Sequence, residues 1–378
     1  MIKILNIVGA RPNFIKIAPL VQVMNQYPQE IIHLLVHTGQ HYDIRMSKMF
    51  FDDLSIPRPD IDLGVGSGSH AEQTGKVMIE FENICLQEKP DLVLVVGDVN
   101  STMACTITAK KLGIRVAHVE AGLRSGDMSM PEEINRLCTD VLCDFLFTTD
   151  LLANKNLERE GRDPKQIYFV GNVMIDTLLE HKQMAEKLDL IKRWNLLPGQ
   201  YATLTVHRPS NVDDREVLEE ILTALYEISK KMPIIFPIHP RTRKMLAHFD
   251  LDHYLSKEFK RSGIIGVDPL GYLEFLHLNL YAKMVITDSG GLQEETTVLG
   301  VPCLTLRNNT ERPITCSVGT NQLVGNGKKA ILDAAEKILA GDVKSGRVPE
   351  KWDGKAAKRI VEILINKLSC RRGLRAVY

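Results

Sequence analysis

Short apolar runs and longer helix-like stretches alternate along most of the chain. The apolar runs are nearly continuous rather than interrupted at every second position, which is typical of parallel strands covered by helices on both faces. Strands that alternate with helices in this way indicate βαβ units and doubly wound sheets. The predicted strands are residues 2–8, 31–36, 92–96, 115–119, 145–148, 167–170, 202–206, 234–238, 284–287 and 302–306. The pattern therefore predicts an α/β protein.

The length of the chain predicts more than one domain. It has 378 residues, whereas a single hydrophobic core stops growing at roughly 250–300 residues. The first strand–helix pattern ends at Gly171, before a helix-like stretch at residues 176–194 and a new strand. We therefore predict two Rossmann-like, doubly wound domains at residues 1–170 and 171–352. We predict the remaining residues, 353–378, as a separate C-terminal helical segment, because the pattern indicates one amphipathic helix at about residues 351–367.

Composition narrows the class of partner. The net charge is +0, from 47 basic and 47 acidic residues, whereas a dedicated nucleic-acid binder usually has a basic excess. No apolar run approaches the ~20 residues that a membrane span needs, and the first strand leads into Gly9 without a signal-peptide pattern. The seven cysteines are scattered without CxxC spacing, so neither a zinc site nor a disulfide framework is indicated. We expect a cytoplasmic protein with no nucleic-acid or membrane partner and no metal.

Two cations follow the first predicted strand. Arg11 and Lys16 come just after Gly9, beside the expected start of a helix. A helix N-terminus favours anions through its free N–H groups and its dipole. We interpret the pair as a phosphate-binding site; the alternative is that both side chains are solvated at the surface. The segment has neither a Walker loop nor the GxGxxG pattern of dinucleotide-binding proteins.

Carboxylates follow the next strands. Asp98 follows one predicted strand and Glu120 follows the next, so both belong to one edge of the sheet. Glu132 and Glu133 then open a helix. Asp98 taken alone is equally typical of a helix N-cap, and one of the two glutamates is expected to be structural, because helix starts favour acids. A group of carboxylates beside cations nevertheless favours general acid–base chemistry on an anionic substrate.

The second half repeats the arrangement with histidines and small residues. His207 and His239 each follow a predicted strand, and a structural role is the alternative for both. Further on, Ser289, Gly290 and Gly291 follow a strand and open a helix. Small residues there allow backbone N–H groups to approach a pyrophosphate closely.

The helix that opens with these small residues carries an acid one turn later. Glu295 is at the distance along the helix at which a carboxylate can bind ribose hydroxyls. Arg307 and Arg312 follow the next strand, and the alternative for both is a salt bridge to Glu294 or Glu311. Phe275 is predicted either as a core residue or as a surface on which a base stacks.

The chain resembles the non-hydrolysing UDP-N-acetylglucosamine 2-epimerase family through motifs that follow one another along almost its whole length: GARPNFIKIAPL, HTGQHYD, VVGDVNST, HVEAGLRS, PEEINR, VGN, TVHRPSN, PIHPR, TDSGGLQEE and TERP. The resemblance implies a GT-B architecture, in which two Rossmann-like domains enclose a central cleft. It also implies that the C-terminal helix crosses back to the N-terminal domain and that the protein is a homodimer.

The resemblance implies a reaction without a nicotinamide cofactor or an obligatory metal. UDP leaves by anti elimination, which gives a glycal, and then returns after the proton at C2 has been replaced on the opposite face. Asp98, Glu120, Glu132 and His207 are the implied catalytic residues, with the carboxylates acting on the proton at C2 and His207 stabilising the departing UDP. The implied substrate-binding residues are Arg11, Lys16, Arg136, His239, Phe275, Ser289, Gly290, Gly291, Glu295, Thr310 and Arg312.

Departures from the family pattern keep alternatives open. The best-known members have a glutamate where this chain has Asn13 and a second arginine where it has Pro209, so a diacetamido or uronic acid relative of the UDP-sugar is an alternative substrate. Gln40 and His41 match a second, activating site of some members, but Asp43 does not. The alternative functions are a hydrolysing 2-epimerase that releases UDP, a GT-B glycosyltransferase and a sugar-nucleotide sensor without catalysis.

Overall fold

The computed structural model describes residues 1–39, 58–256 and 262–375, apart from the side chains of Arg11 and of residues 370–375. Gln40, His41 and Asp43 lie outside the described residues. The chain divides into two compact units, Met1–Glu180 with the C-terminal segment from Glu350, and His181–Pro349. The predicted domain bounds at 170 and 352, the cleft and the crossing of the C-terminal helix remain predictions.

The first unit contains a parallel sheet. Within the described residues its strands lie in the order β3-β2-β1-β4-β5-β6-β7, and every neighbouring pair is parallel. Its central strand β4 is buried at every position because its sequence, LVLVV, is apolar throughout. The strands are β1 (Ile2–Val8), β2 (Ile31–His37), β3 (Ile61–Asp62), β4 (Leu92–Val96), β5 (Arg115–Val119), β6 (Phe145–Thr148) and β7 (Ile167–Phe169).

The second unit repeats this topology. Its described strands lie in the order β10-β11-β9-β8-β12-β13-β14, again with parallel neighbours. The strands are β8 (Ala202–Thr205), β9 (Ile234–Pro237), β10 (Leu255–Ser256), β11 (Ile264–Val267), β12 (Met284–Thr287), β13 (Cys303–Thr305) and β14 (Asn321–Leu323). The predicted fold class, an α/β protein with two Rossmann-like sheets, is confirmed.

Helices connect the strands of both sheets. Among those described, none is both long enough and apolar enough to span a bilayer. In chain order they are α1 (Arg11–Met24), α2 (His70–Glu88), α3 (Asn100–Lys111), α4 (Pro131–Leu142), α5 (Leu151–Arg159), α6 (Val173–Glu186), α7 (Leu190–Arg193), α8 (Pro209–Val212), α9 (Arg215–Ser229), α10 (Pro240–His248), α11 (Tyr272–Leu280), α12 (Gly290–Leu299), α13 (Pro313–Ser317), α14 (Lys328–Leu339) and α15 (Ala356–Arg375), with short 3₁₀ turns at Pro164–Gln166 and Asp252–Tyr254.

Several sequence-based expectations differ from the observed elements. The single helix predicted at 176–194 is instead α6 and α7, because i→i−3 hydrogen bonds from Lys187 and Leu188 tighten and end α6. The C-terminal helix begins at Ala356 rather than 351, because Lys351 and Gly354 have positive φ angles of 62° and 75°. Strands β3, β10, β11 and β14 were not predicted, because each has at most four residues, and the run of β11 also contains Gly266 and therefore resembles a turn.

Candidate active site

The two sheets reverse their strand order at equivalent places. In the first sheet the order reverses between β1 and β4, and in the second between β8 and β12. Open α/β sheets bind ligands in the crevice beyond the carboxyl ends of the strands at such a point. Asp98 follows β4 in the first sheet, and His207 follows β8 in the second. Two of the predicted catalytic residues, Asp98 and His207, therefore follow strands at the places where this topology binds ligands.

In the first unit, Lys16 and Glu120 form a buried ion pair. Lys16 Nζ lies 2.5 Å from Glu120 Oε2, and the two residues are only 5% and 3% exposed. Lys16 belongs to α1, whereas Glu120 follows β5, so the contact joins α1 to the loop after β5. Removing one partner of such a pair leaves an uncompensated buried charge and costs about 3–5 kcal/mol. The pair therefore fixes the position of the Glu120 carboxylate.

Arg136 connects two further acids of this edge. Its Nη1 contacts Asp98 Oδ2, and its Nε and Nη2 lie 3.0 and 2.6 Å from Glu133 Oε2. The i,i+3 spacing on α4 brings Glu133 and Arg136 to one face of the helix. Arg136, predicted to bind substrate, is thus braced by Glu133 and directed at Asp98. We call Lys16, Asp98, Glu120, Glu133 and Arg136 the carboxylate cluster.

The two glutamates that open α4 have different surroundings. Glu133 is buried and accepts hydrogen bonds from the backbone N–H groups of Ser125 and Gly126, each at 3.0 Å. Burial alone would raise the pKa of Glu133, but these N–H groups and Arg136 hold it below its ordinary value. Glu132 is exposed. The surroundings of Glu133 therefore indicate a structural role, and Glu132 remains the predicted catalytic candidate of this pair.

The loops of this edge are closely packed around Gly97. The φ angle of Gly97 is 68°, and a Cβ atom there would lie 3.0 Å from Lys16 Nζ and 3.2 Å from Asn13 Nδ2. Asn13 Oδ1 accepts from the N–H of Ala10 at 2.9 Å, while its Nδ2 donates to the Val96 carbonyl at 3.1 Å. A glutamate at position 13 could not donate that second bond. The departure at Asn13 thus ties the β1 and β4 loops together.

In the second unit, a buried aspartate holds His207. Asp288 Oδ1 lies 2.9 Å from His207 Nδ1, and Oδ2 accepts from the backbone N–H groups of His207 and Arg208 at 2.8 Å. Burial alone would raise the pKa of Asp288, but the His207 side chain and these N–H groups keep it below its ordinary value. The His207 side chain is 39% exposed, so the ring is oriented from behind and remains accessible. Sequence reasoning missed Asp288, although it opens the DSGG motif.

Arginines surround a second buried acid. Glu311 contacts Arg312 Nη1, and it lies 2.8 Å from Arg307 Nη2 and 3.9 Å from Arg208 Nη2. Burial alone would raise the pKa of Glu311, but the charges of Arg312, Arg307 and Arg208 hold it well below its usual range. Glu294 also pairs with Arg312, at 2.9 Å. We call Arg208, Arg307, Arg312, Glu294 and Glu311 the arginine cluster.

The arginine cluster lies at the start of α12. A Cβ atom at Gly290 would come within 2.7 Å of Arg312 Nη1, so only glycine fits there without displacing the guanidinium. Its three arginines exceed its two glutamates by one positive charge. Excess positive charge beside the N-terminus of a helix favours a bound anion. The salt bridges considered as the alternative for Arg307 and Arg312 are present, and they hold the guanidinium groups at this helix start.

Gln293 connects the start of α12 to Thr310. Its Nε2 donates to the Ser289 carbonyl at 3.2 Å, and its Oε1 accepts from Thr310 Oγ1 at 2.7 Å. Gly291 lies in the first turn of α12. His239 is the N-cap residue of α10, and its Nδ1 accepts the Arg241 N–H at 3.2 Å. Sequence reasoning missed Gln293, whose fully buried position gives it a bracing role.

Glu295 and Phe275 have contrasting surroundings. Glu295 is buried, and burial raises its pKa to about 7 although Tyr272 Oη donates to it at 3.2 Å. Phe275 is half-buried and packs against Val285, Leu292 and Val301. Arg11 begins α1, but its side chain lies outside the described residues. Among those residues, no group of three His, Cys, Asp or Glu side chains has the arrangement of metal ligands.

A sequence model of the UDP-N-acetylglucosamine 2-epimerase family matches residues 25–365. The chain belongs to this family. It is 45% identical over 363 residues to the UDP-N-acetylglucosamine 2-epimerase of Methanocaldococcus jannaschii, covering 95% of this chain and 97% of that protein. The family predicted from the motifs is therefore confirmed.

One further relative and one crystal structure bear on the substrate. The chain is 40% identical over 367 residues to the UDP-2,3-diacetamido-2,3-dideoxy-D-glucuronate 2-epimerase of Pseudomonas aeruginosa, covering 96% of this chain and 99% of that enzyme. The crystal structure of the M. jannaschii UDP-GlcNAc 2-epimerase in complex with UDP-GlcNAc and UDP superposes with a TM-score of 0.87 at 45% identity, covering 96% of this chain and 99% of the other. The family thus includes relatives of this chain with different sugars.

Proposed function

We propose that this protein is a non-hydrolysing UDP-N-acetylglucosamine 2-epimerase that converts UDP-N-acetylglucosamine to UDP-N-acetylmannosamine. The observation that carries the proposal is the carboxylate cluster, in which Asp98 and Glu120 are each paired with a cation at one sheet edge. Inversion at C2 requires groups that remove and return a proton, and carboxylates at fixed positions supply them. The 45% identity to the M. jannaschii enzyme supports the same substrate.

The reaction that we propose is an elimination followed by an addition. A carboxylate removes the proton at C2, the bond from C1 to the UDP oxygen breaks, and a glycal forms. A proton then returns to the opposite face of C2, and UDP re-forms the bond to C1. The sugar is neither oxidised nor reduced, so a nicotinamide cofactor has no part in this reaction. Asp98, Glu120 and Glu132 are the proposed proton donors and acceptors.

The arginine cluster and His207 are proposed to hold the UDP group. The departing pyrophosphate gains negative charge in the transition state, and preorganised cations and N–H dipoles stabilise such charge. Arg312, Ser289 and Gly290 meet at the start of α12, and Glu295 lies one turn further along that helix. We assign the diphosphate to the start of α12, where Arg312, Ser289 and Gly290 meet. We assign the ribose to Glu295. Phe275, His239, Thr310, Arg11, Lys16, Arg136 and Gly291 remain proposed substrate contacts.

A second candidate substrate is a diacetamido-uronic acid derivative of the same UDP-sugar. The 40% identity to the P. aeruginosa enzyme over 96% of this chain favours it. The proposed proton chemistry would be unchanged, because only substituents away from C2 differ. The homodimer and the cytoplasmic location also remain proposals.

Proton NMR in D2O tests the proposal directly. The purified protein is incubated with UDP-N-acetylglucosamine without added metal or nicotinamide, and the C2 proton is followed. Loss of the C2 proton signal with appearance of the manno epimer, still attached to UDP, is expected. Free UDP with N-acetylmannosamine would instead identify a hydrolysing epimerase. Exchange only with the diacetamido-uronic acid substrate would support the second candidate, and no exchange with either would overturn both.

A further inference from the structure

A second network of buried charges lies behind the carboxylate cluster. His118, in β5, and Asp140, in α4, are both completely buried. His118 Nδ1 lies 2.6 Å from Asp140 Oδ1, and His118 Nε2 lies 2.8 Å from the Gly97 carbonyl oxygen. Because both partners are acceptors, the ring donates from both nitrogens. The pair therefore joins α4 to the main chain immediately before Asp98.

The other end of this network reaches the loop that carries Glu120. Asp140 Oδ2 accepts the backbone N–H of Gly122 at 3.0 Å and lies 2.7 Å from Arg124 Nη2. Arg124 in turn pairs with Glu160 at 2.6 Å. Burial alone would raise the pKa of Asp140, but His118 and Arg124 keep it below its ordinary value, so Asp140 remains an acceptor. One buried pair thus bonds to the main chain at Gly97 and at Gly122.

The main chain of Glu120, two residues before Gly122, has an unfavourable conformation. Glu120 has a φ angle of 73°, in the left-handed region, which costs about 1–2 kcal/mol for a residue with a side chain. Such conformations persist only where the surrounding structure enforces them. A buried ion pair contributes little net stability by comparison with apolar side chains of the same volume. A contribution to stability therefore does not explain the buried pair of His118 and Asp140. The main-chain groups that the pair bonds, at Gly97 and Gly122, indicate its role instead.

We propose that His118 and Asp140 are positioning residues, which hold the main chain beside Asp98 and Glu120 in the geometry that proton transfer at C2 requires. Neither residue touches the substrate. The inference rests on the proposed function in so far as the positioned carboxylates act on C2. Displacement of a catalytic group by about 1 Å costs on the order of 10²-fold in rate. The expected loss is therefore in kcat, with little change in KM or in UDP affinity.

His118→Gln and Asp140→Asn test this role, with His277→Gln as the matched control. His277 is also a buried histidine, and its Nδ1 bonds to a main-chain carbonyl, that of Ala185, at 2.8 Å in the second unit. Both test variants are expected to lose kcat about 100-fold, while KM changes less than about 3-fold and UDP still binds with full stoichiometry in calorimetry. The double variant is expected to lose no more than either single one, because the pair acts as a unit. The control keeps its activity.

Hydrogen exchange separates this inference from the proposed function. Mass spectrometry of the peptides that contain Gly97 and Gly122 measures how firmly His118 and Asp140 hold the main chain, and it requires no turnover. Faster exchange in both peptides of each test variant, and not in His277→Gln, supports the positioning role even if the wild-type protein proves inactive on UDP-N-acetylglucosamine. Unchanged exchange would overturn the inference. So would full kcat in both variants, or a loss of UDP stoichiometry that accounts for the lost activity.

Discussion

The two sheets share one topology but use their acids in different ways. At the reversal point of the first sheet, the Asp98 side chain is 23% exposed and pairs with Arg136. In the second sheet, the side chain of Glu311, in the loop after β13, is 4% exposed and lies against three arginines. An acid with an accessible oxygen can exchange a proton, whereas an acid enclosed by guanidinium groups can only hold them in place. The topology sets the location of these acids, and the cations packed around each acid separate their roles.

The cations of the two units also differ in the groups that they face. Lys16 and Arg136 in the first unit are each turned toward a carboxylate. In the second unit, the arginine cluster has more positive than negative groups and lies beside the helix start at Gly290. We therefore expect the first unit to supply proton transfer and the second to bind the diphosphate. Variants that separate turnover from UDP affinity test this division.

The largest effect is expected for Asp98→Asn. The amide keeps the shape of the carboxylate but cannot accept a proton, so turnover is expected to fall about 10³-fold. UDP affinity, measured by calorimetry, is expected to change less than about 2-fold. Glu88→Gln is the control, because Glu88 forms a half-exposed ion pair with Lys3 in the same unit. Retention of turnover by Asp98→Asn would remove Asp98 from the catalytic residues and break the comparison.

Glu295→Gln is expected to weaken UDP binding, which Asp98→Asn leaves nearly unchanged, and also to stabilise the folded protein. Its folded pKa is about 7 against an ordinary 4.5, so folding disfavours its ionised form. The resulting destabilisation is absent below pH 4.5, grows as the pH rises to 7 and is complete above it. The glutamine variant should thus gain stability over the wild type across this window, by up to about 3 kcal/mol at pH 8. Its UDP affinity is expected to fall about 10- to 100-fold through loss of the charged ribose contact.

Urea unfolding from pH 4.5 to 8 measures this effect on stability. Glu227→Gln is the control, because Glu227 is exposed and its pair with Lys230 holds its pKa below the ordinary value. That variant is expected to show a difference from the wild type that is constant with pH. A constant difference for Glu295→Gln as well would contradict the assignment of a raised pKa. Unchanged UDP affinity would contradict its ribose contact.

The sequence predicted elements and strand ends well, and side-chain partners poorly. The ten predicted strands were all found, because each is a continuous apolar run followed by a turn. Asp98, Glu120 and His207 were selected because a parallel topology brings strand ends to one edge. Their partners could not be predicted: Asp288 is 81 residues from His207, and Asp140 is 22 residues from His118. Only the folded chain brings such pairs together, and burial then distinguishes Glu133 from Glu132.

The smallest effect, and the sharpest test of the packing in the first unit, is expected for Gly97→Ala. A residue with a side chain at its φ of 68° costs about 1–2 kcal/mol, and its Cβ would press on Lys16 Nζ at 3.0 Å. Gly113→Ala is the matched control, since Gly113 has a φ of 72° and no atom within 4 Å of an added Cβ. Both variants should lose similar stability in urea, whereas only Gly97→Ala should lose turnover, about 10-fold, through displacement of Lys16 and Glu120. Equal turnover in the two variants would mean that the Lys16–Glu120 pair tolerates displacement, and Glu120 would then require no fixed position for its proposed chemistry.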